Sequence, residues 1–262
     1  GVEFHLAKDH DLPLLLQDTL VLLATSHQGY HHLCALSTYA HRDGKLGANL
    51  PLDHLLAANV QDLVAIMPMR GLIRQGQEAK LRQRCQALRE HFNAQLYCTV
   101  SRHLAPAEDR WIQPTLNLAK SLNLPCLLSN DVYMHERSSK DMSDLLHAIR
   151  QNQTLGQVGA HLFPNGERSL HDLKTIAARY QGLPIYESAL AAGRALAERC
   201  TFDMRSLRYH YPKEMLPAGV KAQQYLEQLT WDGARSHYGT IPSKIERLIR
   251  HEVRGELGAD VL

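Results

Sequence analysis

The sequence predicts an α/β fold in its first half, followed by a helical region. Before Asp131, short apolar runs alternate with amphipathic stretches of helical period, and after it the chain shows no further convincing strand pattern. Strands separated by helices of this length indicate parallel β–α units, because a parallel neighbour needs a crossover of about a dozen residues.

The candidate strands are rich in Val, Leu, Ile or Tyr, the residues that favour a half-buried sheet. They are Val2–Ala7, Thr19–Ala24, Asp62–Met67, Gln95–Val100 and Pro125–Ser129. The candidate helices between them are Gly29–His41, Gln77–Phe92 and Ile112–Leu122. The first two strands have only a short connection, so they could instead form a hairpin.

The second half is predicted to be helical, with one break. Its candidate helices are Ser139–Arg150, Leu170–Tyr180, Ile185–Cys200, Lys221–Tyr238 and Ser243–Glu252. The break holds Tyr209-His210-Tyr211-Pro212 and Leu216-Pro217-Ala218-Gly219, whose prolines and glycine end one unit and lead into another. We therefore expect a domain boundary near Ser206.

Composition narrows the class of protein. The 262 residues are 44% hydrophobic and 21% charged, as in a globular protein, and 29 Lys+Arg against 27 Asp+Glu give a formal charge of +2. So small a net charge does not attract the whole protein to nucleic acid or to an anionic membrane, so any DNA contact requires a local patch of positive charge. Five widely spaced cysteines without a CxxC pair favour reduced thiols in a cytoplasmic protein. No apolar stretch approaches the roughly 18 residues of a membrane span, so no membrane association is expected.

Common catalytic motifs are absent from the sequence. It contains no HExxH, GxxxxGK[ST], GxSxG or GxGxxG pattern, which removes the usual signatures of zinc peptidases, P-loop enzymes, α/β-hydrolases and simple Rossmann folds. The sixteen histidines scatter evenly along the chain, so we expect most of them at the surface.

Three residues at strand positions are candidate metal ligands. Asn130-Asp131 follows an apolar strand, and His103 follows the preceding strand, so in a barrel both would lie on one rim, which Glu3 of the first strand could join. The alternative for Asn130-Asp131 is a simple turn. Three such ligands could hold one divalent ion, but they are too few for a catalytic two-metal centre. We expect an empty, partial site.

A basic segment runs through the middle of the first half. The segment contains six cationic residues and only two acidic ones, Glu78 and Glu90. The cationic residues are Arg70, Arg74, Lys80, Arg82, Arg84 and Arg89. The segment could face a phosphate backbone, but the preferred interpretation is a solvated face of an amphipathic helix. Phe92 is the only aromatic residue nearby, so base stacking is not indicated.

Several segments, in the right order along the chain, resemble bacterial C-family DNA polymerase α subunits. They are Gln28–Leu36, Asn130-Asp131-Val132, Leu145–Arg150, Tyr209–Pro212 and Leu216–Gly219. Three further segments resemble the error-prone, damage-inducible branch of that family. They are Met134–Arg137, Pro164–Arg168 and Ala197–Phe202.

The resemblance implies an amino-terminal PHP domain, a β/α barrel, followed by the polymerase palm, thumb and fingers. On this basis residues 1–205 are expected to be a PHP domain that lacks its first strands, and residues 206–262 the start of the palm and thumb region. The unfinished ends suggest a piece of a longer protein. That parent would be a DNA-directed DNA polymerase in translesion or damage-induced synthesis, acting on DNA and deoxynucleotides with a sliding clamp and accessory mutagenesis proteins. The palm aspartates that hold Mg²⁺ in this family would come after Leu262, so this chain alone is expected not to catalyse polymerisation.

The resemblance also places a metal site at the candidate residues. Glu3, His103 and Asp131 match a glutamate, a histidine and an aspartate ligand of active PHP domains. Other ligand positions depart from the pattern, and these are Tyr133, Met69 and Thr19. Because these side chains bind divalent ions weakly, the site is expected to be vestigial and to lack Zn²⁺ or Mn²⁺. The alternatives are a metal-dependent PHP phosphoesterase, a 3′–5′ exonuclease or a non-catalytic interaction module.

Overall fold

The computed structural model describes residues 1–6, 12–42, 48–106, 108–208 and 216–255. They fall into two compact units, Gly1–Ser206 and Leu207–Leu262. The assignment of these units to a PHP domain and to the start of a polymerase region stays a prediction. The predicted break at Tyr209-His210-Tyr211-Pro212 lies outside the described residues, as does Ala7 at the end of the first predicted strand.

The first unit contains a five-stranded sheet in the order β1-β2-β3-β4-β5. Its strands are β1 Val2–His5, β2 Thr19–Ala24, β3 Leu63–Pro68, β4 Leu96–Val100 and β5 Cys126–Leu128. All five lie where the apolar runs predict them. The pairs β3–β4 and β4–β5 are parallel, and β1–β2 is an antiparallel hairpin.

The expected parallel unit between the second and third strands was wrong, because β2 and β3 are antiparallel. The reason lies in the connection. After the first helix the chain returns to the start of β2, where backbone hydrogen bonds join His5 to Ala48 and Leu50. A second, short helix then leads back to the end of β2, where Leu63 pairs with Ala24. The first helix alone would return the chain for a parallel strand. The second, short helix carries it back to the opposite end of β2, so β3 runs antiparallel to β2.

Eleven α-helices lie in the described part of the chain. Those of the first unit are α1 His27–Ala40, α2 Leu52–Ala57, α3 Arg70–Arg74, α4 Glu78–Phe92, α5 Asp109–Ser121, α6 Lys140–Arg150, α7 Leu155–Val158, α8 Leu173–Tyr180 and α9 Tyr186–Arg199. Those of the second unit are α10 Ala222–Tyr238 and α11 Ser243–Gly255. The sequence did not predict α2, α3 or α7, since a helix of one or two turns is too short to show a helical period.

Helices cover both faces of the sheet, which explains the continuous apolar pattern of β3. Leu63 and Ala65 point into the main core together with buried leucines of α1, α4 and α5. Val64 points to the other face, where it packs with Leu127 and with Leu196 of α9.

The predicted α/β class is confirmed. In the part of the chain that the structure describes, no strand pairing joins β1 to β5, so the sheet is open and the incomplete barrel stays a prediction. Within the same described ranges, no helix combines the length and apolar character needed to cross a bilayer.

Candidate functional site

The site lies at one edge of the sheet, where the parallel strands β3, β4 and β5 end. Met69 follows β3, His103 comes shortly after β4, and Asp131 comes shortly after β5. Because the carboxyl ends of parallel strands meet at the same edge, His103 and Asp131 lie at one edge of the sheet as the sequence predicts, and Met69 lies at the same edge.

Asp131 is held between two arginines rather than facing open solvent. Arg70 Nη1 lies 2.5 Å from Asp131 Oδ2, and Arg168 donates a hydrogen bond to the same oxygen. The residue adopts a left-handed backbone with φ of 45°, and its N–H donates to Ser129 Oγ at 3.1 Å. Burial alone would raise the pKa of Asp131, but Arg70 and Arg168 outweigh it and lower that pKa. The carboxylate is therefore ionised at neutral pH and is shared by the two guanidinium groups through Oδ2.

Tyr133 and Glu3 also interact with Arg70. Burial would lower the pKa of Arg70, but Asp131, Tyr133 and Glu3 raise it, partly through a hydrogen bond from the arginine to the Tyr133 hydroxyl. Burial, Glu3 and Asp131 raise the pKa of Tyr133 to about 12, so its phenol is neutral. Glu3 itself is exposed and acts on the site by its charge.

His103 is buried and has a protein partner on each ring nitrogen. Nε2 lies 2.9 Å from the carbonyl oxygen of Asn130, and Nδ1 lies 3.2 Å from Glu108 Oε1. The backbone N–H of His103 also donates a hydrogen bond to Glu108 Oε2 at 2.6 Å. Burial would raise the pKa of Glu108, but these contacts with His103 lower it. His103 thus links the ends of β4 and β5 and has no free nitrogen for a metal.

A further set of contacts, which the sequence did not predict, fixes helix α8 to the end of β5 and to Glu167. Arg179 Nη2 lies 2.6 Å from Glu167 Oε2, and Nη1 lies 2.8 Å from Asn130 Oδ1. Tyr180 donates its hydroxyl hydrogen to Ser129 O at 2.9 Å. Asn130 is therefore a structural residue that joins the strand end to the helix.

The interpretation of the basic segment as a solvated face was wrong for half of its residues. Arg70 and Arg74 belong to α3, a separate short helix at the strand ends, and their side chains are only 14% and 17% exposed. Arg84 is buried on α4 and forms an ion pair with Asp18. The remaining members, on the outer part of α4, are Lys80, Arg82 and Arg89. The local sequence could not show this, because the acidic partners are far away along the chain.

The three candidate ligands surround the same arginine cluster without forming a cation site. Within the described ranges, no group of three His, Cys, Asp or Glu side chains could hold a metal ion. Met69 and Thr19 are buried, at 1% and 5% exposure. A divalent cation next to Asp131 would face two guanidinium groups, and His103 would have to give up a hydrogen bond, so the donor set does not fit a metal.

Comparison with known proteins gives a consistent result. No family model matches the chain. The error-prone DNA polymerase of Pseudomonas aeruginosa is 33% identical over 263 residues, covering 96% of this chain and 24% of that protein. The error-prone DNA polymerase of Pseudomonas savastanoi pv. phaseolicola is 34% identical over 237 residues, covering 90% and 22% respectively. That of Xanthomonas oryzae pv. oryzae is 31% identical over 240 residues, covering 90% and 21%.

The chain therefore spans about a quarter of the length of these curated relatives, as the 24% coverage of the Pseudomonas aeruginosa protein shows. The resemblance seen in the sequence motifs is confirmed: over this segment the chain is similar to the error-prone DNA polymerases of these bacteria.

Proposed function

We propose that this chain acts as part of an error-prone DNA polymerase. The observation that carries the proposal is the match of 96% of the chain to the Pseudomonas aeruginosa polymerase. In this proposal residues 1–205 form a PHP-type domain, an incomplete β/α barrel, and residues 206–262 begin the polymerase palm and thumb. The parallel strands β3, β4 and β5 with helices between them support the β/α part of this proposal.

The first unit has a structural role in this proposal, and Glu3, His103 and Asp131 are the remains of a metal site that no longer binds Zn²⁺ or Mn²⁺. The support is chemical. Arg70 and Arg168 supply the positive charge beside Asp131 that a metal would otherwise supply. Both nitrogens of His103 have protein partners.

The parent protein would extend DNA with deoxynucleotides, using Mg²⁺ held by palm aspartates outside this chain. Translesion or damage-induced synthesis, a sliding clamp and accessory mutagenesis proteins belong to the same proposal through the error-prone relatives.

The polymerase proposal is tested by expressing the longest reading frame that contains this chain and assaying primer extension opposite an abasic site and on an undamaged template. We expect Mg²⁺-dependent incorporation on both templates. A reading frame that yields no incorporation on either template would contradict the proposal.

The structural role of the strand-end site is tested on the 262-residue chain itself. We expect no stoichiometric zinc or manganese after purification and no hydrolysis of a generic phosphate ester. Replacing Tyr133 by His and Met69 by Cys should not create either property, because Arg70 and Arg168 remain. Bound metal together with hydrolysis that is lost in Asp131→Asn would instead favour a phosphoesterase.

A further inference from the structure

Two cysteines lie side by side on adjacent strands of the sheet. Cys98 of β4 and Cys126 of β5 are directly opposite each other in the parallel pairing. Residues paired in this way carry their side chains on the same face of a sheet. The two Sγ atoms are 3.2 Å apart, although the cysteines lie 28 positions apart along the chain. The fold therefore brings two thiols into direct contact.

The backbone at this pair suits a disulfide bond. Adjacent strands lie about 4.7–4.9 Å apart, and the Cα atoms of disulfide-bonded cysteines are usually about 4.4–6.8 Å apart. Backbone hydrogen bonds hold β4 and β5 together on both sides of the pair. The Cys98 N–H donates to Pro125 O at 3.0 Å, and the Ser129 N–H donates to Val100 O at 3.0 Å. The two sulfur atoms can therefore be joined by side-chain rotation, without a movement of the strands.

The two thiols differ in their access to solvent. Cys98 is fully buried, whereas Cys126 is half-buried. Cys126 also lines a cavity of about 450 Å³, together with Leu116 and Lys120 of α5 and Ala192 of α9. A water molecule takes up about 30 Å³ in the liquid, so this cavity admits a molecule as small as hydrogen peroxide. A small oxidant therefore reaches Cys126 before it reaches Cys98.

The contact also separates the acidities of the two thiols. With Cys98 as the donor, the hydrogen bond between the sulfur atoms lowers the pKa of Cys126, against the effect of burial. The same contact, together with burial, raises the pKa of Cys98. The thiolate is the reactive form of a cysteine. The sulfur that an oxidant can reach is thus also the more acidic one.

We propose that Cys98 and Cys126 form a site of reversible oxidation, at which a peroxide converts the two thiols into a disulfide between β4 and β5. The proposal goes beyond the polymerase proposal and is independent of it, because it requires only the folded, reduced chain.

The oxidation proceeds in two steps. The Cys126 thiolate attacks one oxygen of hydrogen peroxide and the O–O bond breaks, which leaves a sulfenic acid on Cys126 and a hydroxide. The hydroxide takes up the proton that Cys126 released and becomes water. The Cys98 sulfur then attacks the Cys126 sulfur, the S–O bond breaks, and hydroxide leaves with the Cys98 proton as a second water. The thiols lose two electrons, which the peroxide accepts.

Tryptic peptides allow the disulfide to be identified directly. Cleavage after Lys and Arg places Cys98 on Glu90–Arg102 and Cys126 on Ser121–Arg137, with no second cysteine on either peptide. The remaining cysteines, each on a further peptide, are Cys34, Cys85 and Cys200. A covalent link between the first two peptides therefore identifies the proposed bond.

The test treats the reduced 262-residue chain with hydrogen peroxide, alkylates the remaining thiols and analyses the tryptic digest by mass spectrometry. We expect Glu90–Arg102 linked to Ser121–Arg137, with the loss of two hydrogen atoms, and complete release of both peptides by dithiothreitol. If both peptides were still alkylated at a peroxide concentration that oxidises exposed Cys34, the proposal would be overturned. Sulfinic acid on Cys126 without any link to Cys98 would overturn it as well.

Substitutions separate the roles of the two sulfurs. Cys126→Ser and Cys98→Ser should each abolish the link, and in Cys98→Ser the sulfenic acid on Cys126 should persist and be trapped by dimedone. Cys34→Ser, at an exposed position, is the matched control and should retain the full yield of the link. Loss of the link in Cys34→Ser would show exchange through that thiol and overturn the proposal. Circular dichroism shows whether each variant is folded, and the peptide analysis of the wild type requires no variant.

Oxidation of the unfolded chain tests whether the sheet directs the reaction. In concentrated urea the pairing of β4 with β5 is lost, so the same peroxide treatment should distribute the disulfides among several cysteine pairs. An equal yield of the Cys98–Cys126 link in the native and the unfolded chain would show that the fold does not direct the reaction, and would overturn the proposal.

Discussion

Asp131→Asn should destabilise the first unit substantially, because it leaves Arg70 and Arg168 without their shared carboxylate. The three side chains are 17%, 14% and 3% exposed respectively, so both guanidinium groups would lose an ionic partner in a largely desolvated place. Breaking a buried ion pair by removing one partner costs about 3–5 kcal/mol. Because the Asn side chain can still accept one hydrogen bond, we expect the lower end, about 3 kcal/mol.

Asparagine is chosen because it preserves the backbone. Asp131 has a φ of 45°, and Asn tolerates this left-handed conformation better than Ala, which would add a strain of about 1–2 kcal/mol. The matched control is Asp62→Asn. Asp62 also has a positive φ, of 58°, but its carboxylate accepts an exposed hydrogen bond, from Ser26 Oγ at 2.7 Å. Its substitution should cost less than about 1 kcal/mol.

Urea unfolding followed by circular dichroism measures both free energies of unfolding under the same conditions. A loss of about 3 kcal/mol in Asp131→Asn corresponds to roughly a hundredfold change in the ratio of folded to unfolded protein. If Asp131→Asn and Asp62→Asn lost the same small amount, the two arginines would not depend on Asp131, and the description of the site as an arginine-bound carboxylate would be refuted.

Three further predictions concern other parts of the first unit. Tyr180→Phe should lower the free energy of unfolding in urea, because the Tyr180 hydroxyl accepts a hydrogen bond from the Arg102 N–H and donates one to Ser129 O. Each backbone group left unpaired should cost about 1–3 kcal/mol. A variant as stable as the wild type would contradict this prediction. Gly71→Ala should also lower the unfolding free energy, by about 1–3 kcal/mol, because a Cβ would come within 2.3 Å of Gln17 O; an unchanged midpoint would mean that the backbone yields. A thiol reagent at about pH 8 should label the exposed Cys34 in the native protein. Cys85 is buried, and burial raises its pKa to about 12, so it should be labelled only after unfolding. Mass spectrometry identifies the labelled residue, and labelling of Cys85 in the native protein would contradict the prediction.

The sequence was most informative where structure depends on local pattern. The apolar runs predicted all five strands, and helical period predicted the long helices, because both signals arise within a few neighbouring residues. The prediction failed for the direction of β3, since that depends on the short helix α2, whose single turn and a half leaves no readable period. The family resemblance was likewise present in linear motifs, and the relatives confirm it.

The candidate site shows where sequence reasoning ended. Parallel strand ends correctly placed His103 and Asp131 at one edge, but nothing local showed that Asp131 would be bound by Arg70 and Arg168. Arginines in a basic segment look solvated until their partners are known, and the Asp18 partner of Arg84 lies 66 residues away.

The sequence by itself thus determined which segments are strands and long helices, which residues stand at the strand ends, and which polymerases the chain is related to. The tertiary structure decided which charges meet there. The physical reason is that periodicity and turn chemistry act between near neighbours in the chain. The charge environment of Asp131, in contrast, depends on a short helix after β3 and on a loop before α8, which only folding brings to the same edge of the sheet.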